Sequence, residues 1–463
     1  MRTSHLNRGK LAALIRDSAS GLGVAGLVIV ASVMVVSRGT DALAKPLARS
    51  AHPLTLTGQT VSLAQLPGLR AAVQRTISHF HQGPPGGKSS NAAISSLGGK
   101  GLGDATLADP LAGNDLGYAV AIAGNIAVVS APGTSSNTGT AYLWRHGGGG
   151  WHEITALPDP RGSQNDDYAW SVAIASTKTG AYVAIGSNAS NGLLNKVYVY
   201  YGSGLTWKKQ AEITDPGGDT PDQFGKALAI SSTTLVVGAY CDTDNLGAAY
   251  IFHRSGSTWT QQVKLLDPGN NPGANYGNAV AVSGNTVLVG AVDAAYVYTN
   301  EAGQGWVQTA TLANPGTSDD NFGESVAISG TTAVIGAPGS VPGSSTLLPG
   351  AAYVYTGSGS SWTRHQKLTY PAGTTGDDFG YALAMNSTTM LIGMPIYGAT
   401  GCGTAYVYKS SGGPWTEQAR QADPACQNGD NFAFSVALYG TYGVYGAPCL
   451  NNHLGAVYLK KLP

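Results

Sequence analysis

The chain has 463 residues, 65 of them Gly and 23 Pro, with 11% charged side chains and a formal net charge of zero. No basic stripe is present to displace counterions from phosphates, which excludes nucleic acid as a partner class. With 43% hydrophobic residues there is ample material for a core, so the Gly and Ser content signals the many turns of a repetitive all-β chain rather than disorder.

The chain opens on a targeting segment. Arg2, Arg8, Lys10 and Arg16 form a basic start, and an apolar run follows from Leu22 to Val36. Ala42-Leu43-Ala44 then offers a small-x-small cleavage site, which places a signal peptide at residues 1–44. The rival reading is an uncleaved anchor. The run is about 15 residues, short of the ~20 that span a bilayer, so no membrane span is expected after cleavage. Removing 1–44 takes away five basic and two acidic residues, and the mature chain is not basic either. The expected location is secreted, periplasmic or cell-surface.

Residues 45–99 form a separate N-terminal segment. Leu69, Val73, Ile77 and Phe80 recur at helical spacing after Pro67 and predict one short amphipathic helix. Residues 83–90, GPPGGKSS, read as a linker. His79 and His81 are two apart on that helix and point in different directions, which suits a solvated helix end better than a metal site.

From residue 100 the chain repeats. Gly117 has counterparts at Ala169, Gly225, Gly277, Gly323, Gly380 and Ala433, a mean period of about 53 residues, which suits a four-stranded propeller blade with its turns. The fifth repeat shows the four strands: A at Ser325–Ile328, B at Ala333–Pro338, C at Ala352–Tyr355 and D at Trp362–Leu368. Four residues after the anchor, all seven repeats carry Ala: 121, 173, 229, 281, 327, 384 and 437. Its neighbours are larger, so small and bulky side chains occupy opposite faces of the innermost strand.

Counting strands closes the ring. Six repeats carry a Trp followed eight residues later by an X-Pro pair, from Trp151 with Asp159-Pro160 to Trp415 with Asp423-Pro424. The seventh A-B-C set ends at Tyr458 without a D strand, while Ala105-Thr106-Leu107 and Asp109-Pro110 stand unclaimed before the first A strand. That orphan completes the last blade and hides both sheet edges. Gly101 stands where its Trp would be. The expected fold is therefore an all-β, seven-bladed propeller over residues 100–463.

These motifs resemble FG-GAP repeats, as in integrin α-subunit propellers, and more closely their bacterial form. Phe224-Gly225, Phe322-Gly323 and Phe379-Gly380 carry the first half of the motif, and Gly336-Ala337-Pro338 and Gly446-Ala447-Pro448 the second. Ala169, Ala433 and Gly290-Ala291-Val292 depart from it. The resemblance implies a binding or adhesion platform and names no ligand.

The family's calcium sites lie in an acidic A–B loop, but here that connection is a tight turn such as Gly124-Asn125, Gly284-Asn285 or Gly330-Thr331. Calcium takes six to eight oxygen ligands, several of them carboxylates, and these turns supply none, so no cofactor is expected. Asp242, Asp244 and Asn245 after strand B of blade three alternate oxygen ligands but lack the Gly and distal Glu of a calcium loop, so an ordinary turn with Asx hydrogen bonds competes with metal binding. Three residues before the anchor stand Asp166, Asp222, Asp320, Asp377 and Asp430, with Asn114 and Ala274 in the other two blades. This acidic ring at the D–A connections is the candidate for meeting cations or sugar hydroxyls. The competing role is closing turns onto backbone N–H groups.

Of the four cysteines, Cys402 lies just before strand C of blade six and Cys426 just after its strand D, on one rim, which favours a Cys402–Cys426 bridge. Cys449 is the competing partner for Cys426, and Cys241 lies too far around the ring. No hydrolase elbow, zinc helix pair or phosphate loop is present, and His146, His152, His253 and His365 fall in different blades. The preferred function is a non-enzymatic module engaging a protein or glycan through one propeller face. The alternatives are a propeller enzyme acting on polysaccharide and a structural part of an envelope assembly.

Overall fold

The computed structural model describes residues 54–56, 59–61, 105–108 and 114–463, the last span less short loops at 190–192, 218–221, 243–245, 272, 317–319, 340–347, 371–376, 396–401, 425–428 and 450–454. The signal-peptide region and the helix expected around Leu69–Phe80 lie outside the described residues. In the N-terminal unit, Leu54–Leu56 and Gln59–Val61 pair antiparallel as a small hairpin.

The second unit is seven antiparallel four-stranded sheets. Six of them follow chain order, as in Ser325–Ser329, Thr332–Ala337, Ala351–Ser358 and Ser361–Thr369. Strands A are Val120–Ala123, Ser171–Ser176, Ala227–Ile230, Val280–Ser283, Ser325–Ser329, Ala382–Met385 and Ser435–Tyr439. Each touches the next, and Ser435–Tyr439 touches Val120–Ala123, so the inner strands form a closed ring. The last blade is Ser435–Tyr439, Tyr442–Ala447 and Ala456–Lys461, completed by Ala105–Ala108 from the N-terminal side. Antiparallel order puts the D–A and B–C loops on one end of the ring and the A–B and C–D hairpins on the other.

The repeat signature is a backbone requirement. The residue two before the anchor and the anchor itself both sit at positive φ in every blade, as in Asn321 at 55° and Gly323 at 98°. Between them a large apolar side chain (Leu116, Tyr168, Phe224, Tyr276, Phe322, Phe379 or Phe432) is buried. Glycine is the residue that takes such a φ without strain; Ala169 and Ala433 hold it at 67° and 66°. The second half of the motif answers the first across the blade boundary. A Cβ on Gly446 would lie 2.0 Å from the Gly117 carbonyl oxygen, and one on Gly336 2.1 Å from that of Gly380. Backbone meets backbone there, and only glycine leaves room. Ser325 and Ser435 add hydroxyl donations to the Gly380 and Gly117 carbonyls, at 2.6 and 2.8 Å.

The alternation of strand A builds the layers between blades. Ala119 and Ala121 pack against Val172 of the following blade. Ala279 and Ala281 pack against Val326 and Ile328, and Ala382 and Ala384 against Val436. Small side chains on one blade thus receive bulky ones from the next, which is the interdigitation that a dense core demands. The outer C–D pairs add a β-bulge at one recurring point, for example between Val354 and Tyr355 and between Val407 and Tyr408.

Candidate ligand site in the axial cavity

Where the seven A strands begin, they surround a cavity of about 330 Å³ on the axis, at the D–A end. Its lining includes the residue immediately after each anchor: Tyr118, Trp170, Lys226, Asn278, Glu324, Tyr381 and Phe434. The backbone motif fixes this position sevenfold and leaves the side chain free. The first positions of strand A then line the wall below, as with Val120, Leu228 and Val326.

The seven side chains divide into two unbroken arcs. Blades six, seven, one and two supply Tyr381, Phe434, Tyr118 and Trp170. Ring centroids along this arc are 5.1 Å from Tyr381 to Phe434, 5.1 Å from Phe434 to Tyr118 and 4.5 Å from Tyr118 to Trp170, all tilted. Blades three, four and five supply Lys226, Asn278 and Glu324. Lys226 Nζ lies over the Trp170 ring at 4.6 Å and the Tyr240 ring at 5.5 Å. Asn278 Nδ2 donates to the Glu324 backbone carbonyl at 3.5 Å.

Burial pushes the Lys226 ammonium below its ordinary range, with Glu324 and Cys241 pulling it partly back. Burial likewise pushes the Glu324 carboxyl up, offset in part by Asn278 and Lys226. Both shifts follow from withdrawing a charge from water. Lys226 and Glu324 feel each other electrostatically but form no ion pair within 4.0 Å, so both keep hydrogen-bonding capacity for a third party.

The acids named from sequence lie elsewhere. Asp166, Asp222, Asp320 and Asp430 are buried within the D–A turns, and Asp377 is half-buried. Asp166 accepts from Arg161 Nε at 2.8 Å; burial pushes its carboxyl up while Arg161 draws it down. Asp320 accepts from the Phe322 N–H at 3.1 Å and from Asn314 Nδ2 at 2.9 Å. The carbonyls at this position receive N–H groups from the B–C loop, Cys241 onto Asp222 and Gly339 onto Asp320. These contacts tie loops together beneath the surface. Asp242 is buried, accepting from Tyr250 Oη at 2.5 Å and Lys264 Nζ at 2.9 Å, so the ammonium already faces its carboxylate. Asp244 and Asn245 lie outside the described residues, among which no group of three or more His, Cys, Asp or Glu is placed to hold a metal.

Cys402 is disulfide-bonded and Cys241 and Cys449 are free thiols, while Cys426 lies outside the described residues. His146 packs between Trp151 at 5.2 Å and Tyr442 of blade seven at 5.1 Å, and His152, His253 and His365 are exposed. No helix among the described residues is long and apolar enough to cross a membrane.

The sequence reading missed the axial ring because its seven members span six residue types. A signal was nonetheless present: in each repeat, one position between the small anchor residue and the constant Ala varies among Tyr, Trp, Lys, Asn, Glu and Phe. A position that varies while its neighbours are fixed, on the innermost strand, is where a repeat protein differentiates its blades.

The FG-GAP repeat family model matches residues 105–144, 207–252, 259–304, 306–355 and 362–408. The two repeats outside these matches are those with Ala169 and Ala433 at the anchor. No curated protein sequence matches. Among solved structures, the chain is similar to Sqt1 from Chaetomium thermophilum at 14% identity, with 72% of this chain and 79% of that one covered and a TM-score of 0.43. It is also similar to the Hadza microbial sialidase Hz136 at 10% identity, with coverage of 69% and 73% and a TM-score of 0.41. With family matches in five blades and seven four-stranded sheets in a closed ring, the chain is an FG-GAP repeat β-propeller.

Proposed function

We propose that this propeller is an exported, non-enzymatic binding module that engages a protein or glycan through its D–A end, with the axial cavity as the ligand site. The observation that carries this reading is the ring after the anchor: seven equivalent positions of the repeat hold two arcs of opposite chemistry. A position serving only the fold would keep one chemistry, as the buried position before the anchor does: it is always large and apolar, and aromatic in six of the seven blades. Convergent polar groups beside apolar walls in a concave site are the usual mark of ligand binding. Hydrolysis of a glycosidic bond generally uses a pair of carboxyl groups, and Glu324 is the one acidic residue among the described residues lining the cavity, which favours binding over turnover.

The test is a glycan array of neutral, acidic and sulfated glycans, with purified envelope proteins spotted beside them, probed with the secreted protein and with Asn278→Trp, which fills the cavity from a lining position. Saturable binding by the parent, lost in Asn278→Trp at unchanged melting temperature, is expected. Binding indifferent to Asn278→Trp places the site elsewhere, and new reducing ends released from a bound polysaccharide overturn the non-enzymatic reading.

A further inference from the structure

Resting on the cavity as a ligand site, we infer its ligand class: one neutral pyranose residue, its C–H face against the aromatic arc and its hydroxyls read by Lys226, Asn278 and Glu324. The division of the ring is the first ground. A pyranose is itself two-sided, with an apolar face of axial C–H groups and a rim of hydroxyls. Four contiguous aromatic side chains opposite three contiguous hydrogen-bonding ones reproduce that division around one axis.

Charge decides between neutral and ionic ligands. A ligand carboxylate drawn to Lys226 enters the field of Glu324, and a ligand ammonium drawn to Glu324 meets Lys226. The aromatic wall does not reverse this for a cation, because the face of Trp170 already carries the chain's own ammonium at 4.6 Å. A hydroxyl escapes both penalties, since it accepts from Lys226 and Asn278 and donates to Glu324 without adding charge. Burial that disfavours both ionised forms points the same way, as hydroxyls satisfy hydrogen-bonding groups whether or not they are ionised. The cavity, at about 330 Å³, lies at the small end of ligand pockets and suits one sugar residue better than a long chain.

The experiment uses the whole secreted protein with methyl glycosides of glucose, galactose and mannose, methyl glucuronide, and glycine betaine as probes. Titration calorimetry and saturation-transfer NMR give the readouts. At least one neutral glycoside is expected to bind, with the strongest saturation transfer to its ring C–H protons. Phe434→Ala, at the middle of the aromatic arc, and Asn278→Ala should each weaken binding at least tenfold, and Glu324→Gln less than threefold, because the amide keeps an acceptor. Asn278→Ala gives up hydrogen bonding to Glu324 but empties no apolar cluster, so it keeps the test valid should Phe434→Ala fail to fold. The inference is overturned if no neutral glycoside binds, if the glucuronide or betaine binds more tightly than every neutral probe, or if Asn278→Ala binds the neutral probe as the parent does. A protein or acidic glycan captured by the parent but not by Asn278→Trp sinks this inference and leaves the binding-module reading standing.

Discussion

At the scale of single residues, backbone demand and side-chain demand can conflict. Asp167 stands two before the anchor of blade two at φ 43°, where Asp is better tolerated than most residues. Its carboxyl is pushed up from 3.8 to about 6, by burial first and then by Asp166 and Asp115. A carboxyl whose folded pKa lies above its unfolded value binds more protons folded than unfolded between those pH values. Stability therefore falls as pH rises through that window and stays reduced above it. Asp167→Asn should stabilise the protein by about 1 kcal/mol at pH 7.5, a figure discounted because the side chain is only half-buried. At pH 3.5, where parent and variant both carry an uncharged group, urea unfolding should find no difference. Equal stabilisation at the two pH values would falsify the electrostatic account. Asp167 also shows what sequence hides: its place in the repeat was legible, but its neighbour Asp115 belongs to another blade. The axial ring was invisible for the same reason, since pattern reading finds what repeats and its seven members are joined only by closure.

At the scale of elements, the strands were legible because each carries its own period of apolar residues between turn signals. Even the clasp could be counted: six Trp-marked D strands against seven A-B-C sets left one vacancy and one orphan. The bulges in the C–D pairs were not legible, because a register shift such as that between Val199 and Tyr200 lives in hydrogen bonds and leaves no mark in composition. The clasp is short: Ala105 pairs with Leu459 and Leu107 with Val457, and Leu107 is 1% exposed in a cluster with Leu116, Val120 and Leu459. Leu107→Ala should cost about 2–5 kcal/mol, the range for emptying a buried leucine site. Deleting residues 100–110 should do more, uncovering Ala456–Lys461 as a free sheet edge and promoting association. Melting and sedimentation of the deletion variant indistinguishable from the parent would mean that the clasp does not hold the last blade.

At the scale of the whole molecule, closure changes how stability is shared. In an open array the terminal repeats have one neighbour and unravel first. Here every blade has two, because Gly446 of the last abuts Gly117 of the first as Gly336 abuts Gly380 within the ring. A local defect should therefore be felt everywhere. Gly323→Ala is the cleanest such defect: φ is 98°, and the added Cβ would lie 2.0 Å from the Ala291 carbonyl oxygen of the preceding blade. Neither atom belongs to a flexible side chain, so the strain has to spread into the blade boundary. A loss of about 1–3 kcal/mol is expected from the φ penalty, with the contact adding to it. The D strands of five blades carry Trp151, Trp207, Trp259, Trp306 and Trp362, and Trp415 stands just before that of a sixth, so indole fluorescence samples nearly the whole ring. Far-UV circular dichroism samples all seven sheets. In Gly323→Ala both signals should keep one sigmoidal transition with a common midpoint, displaced together from that of the parent. A fluorescence step of partial amplitude preceding the loss of sheet signal would show blades melting one by one, and the ring would then be a chain of neighbours rather than one cooperative body.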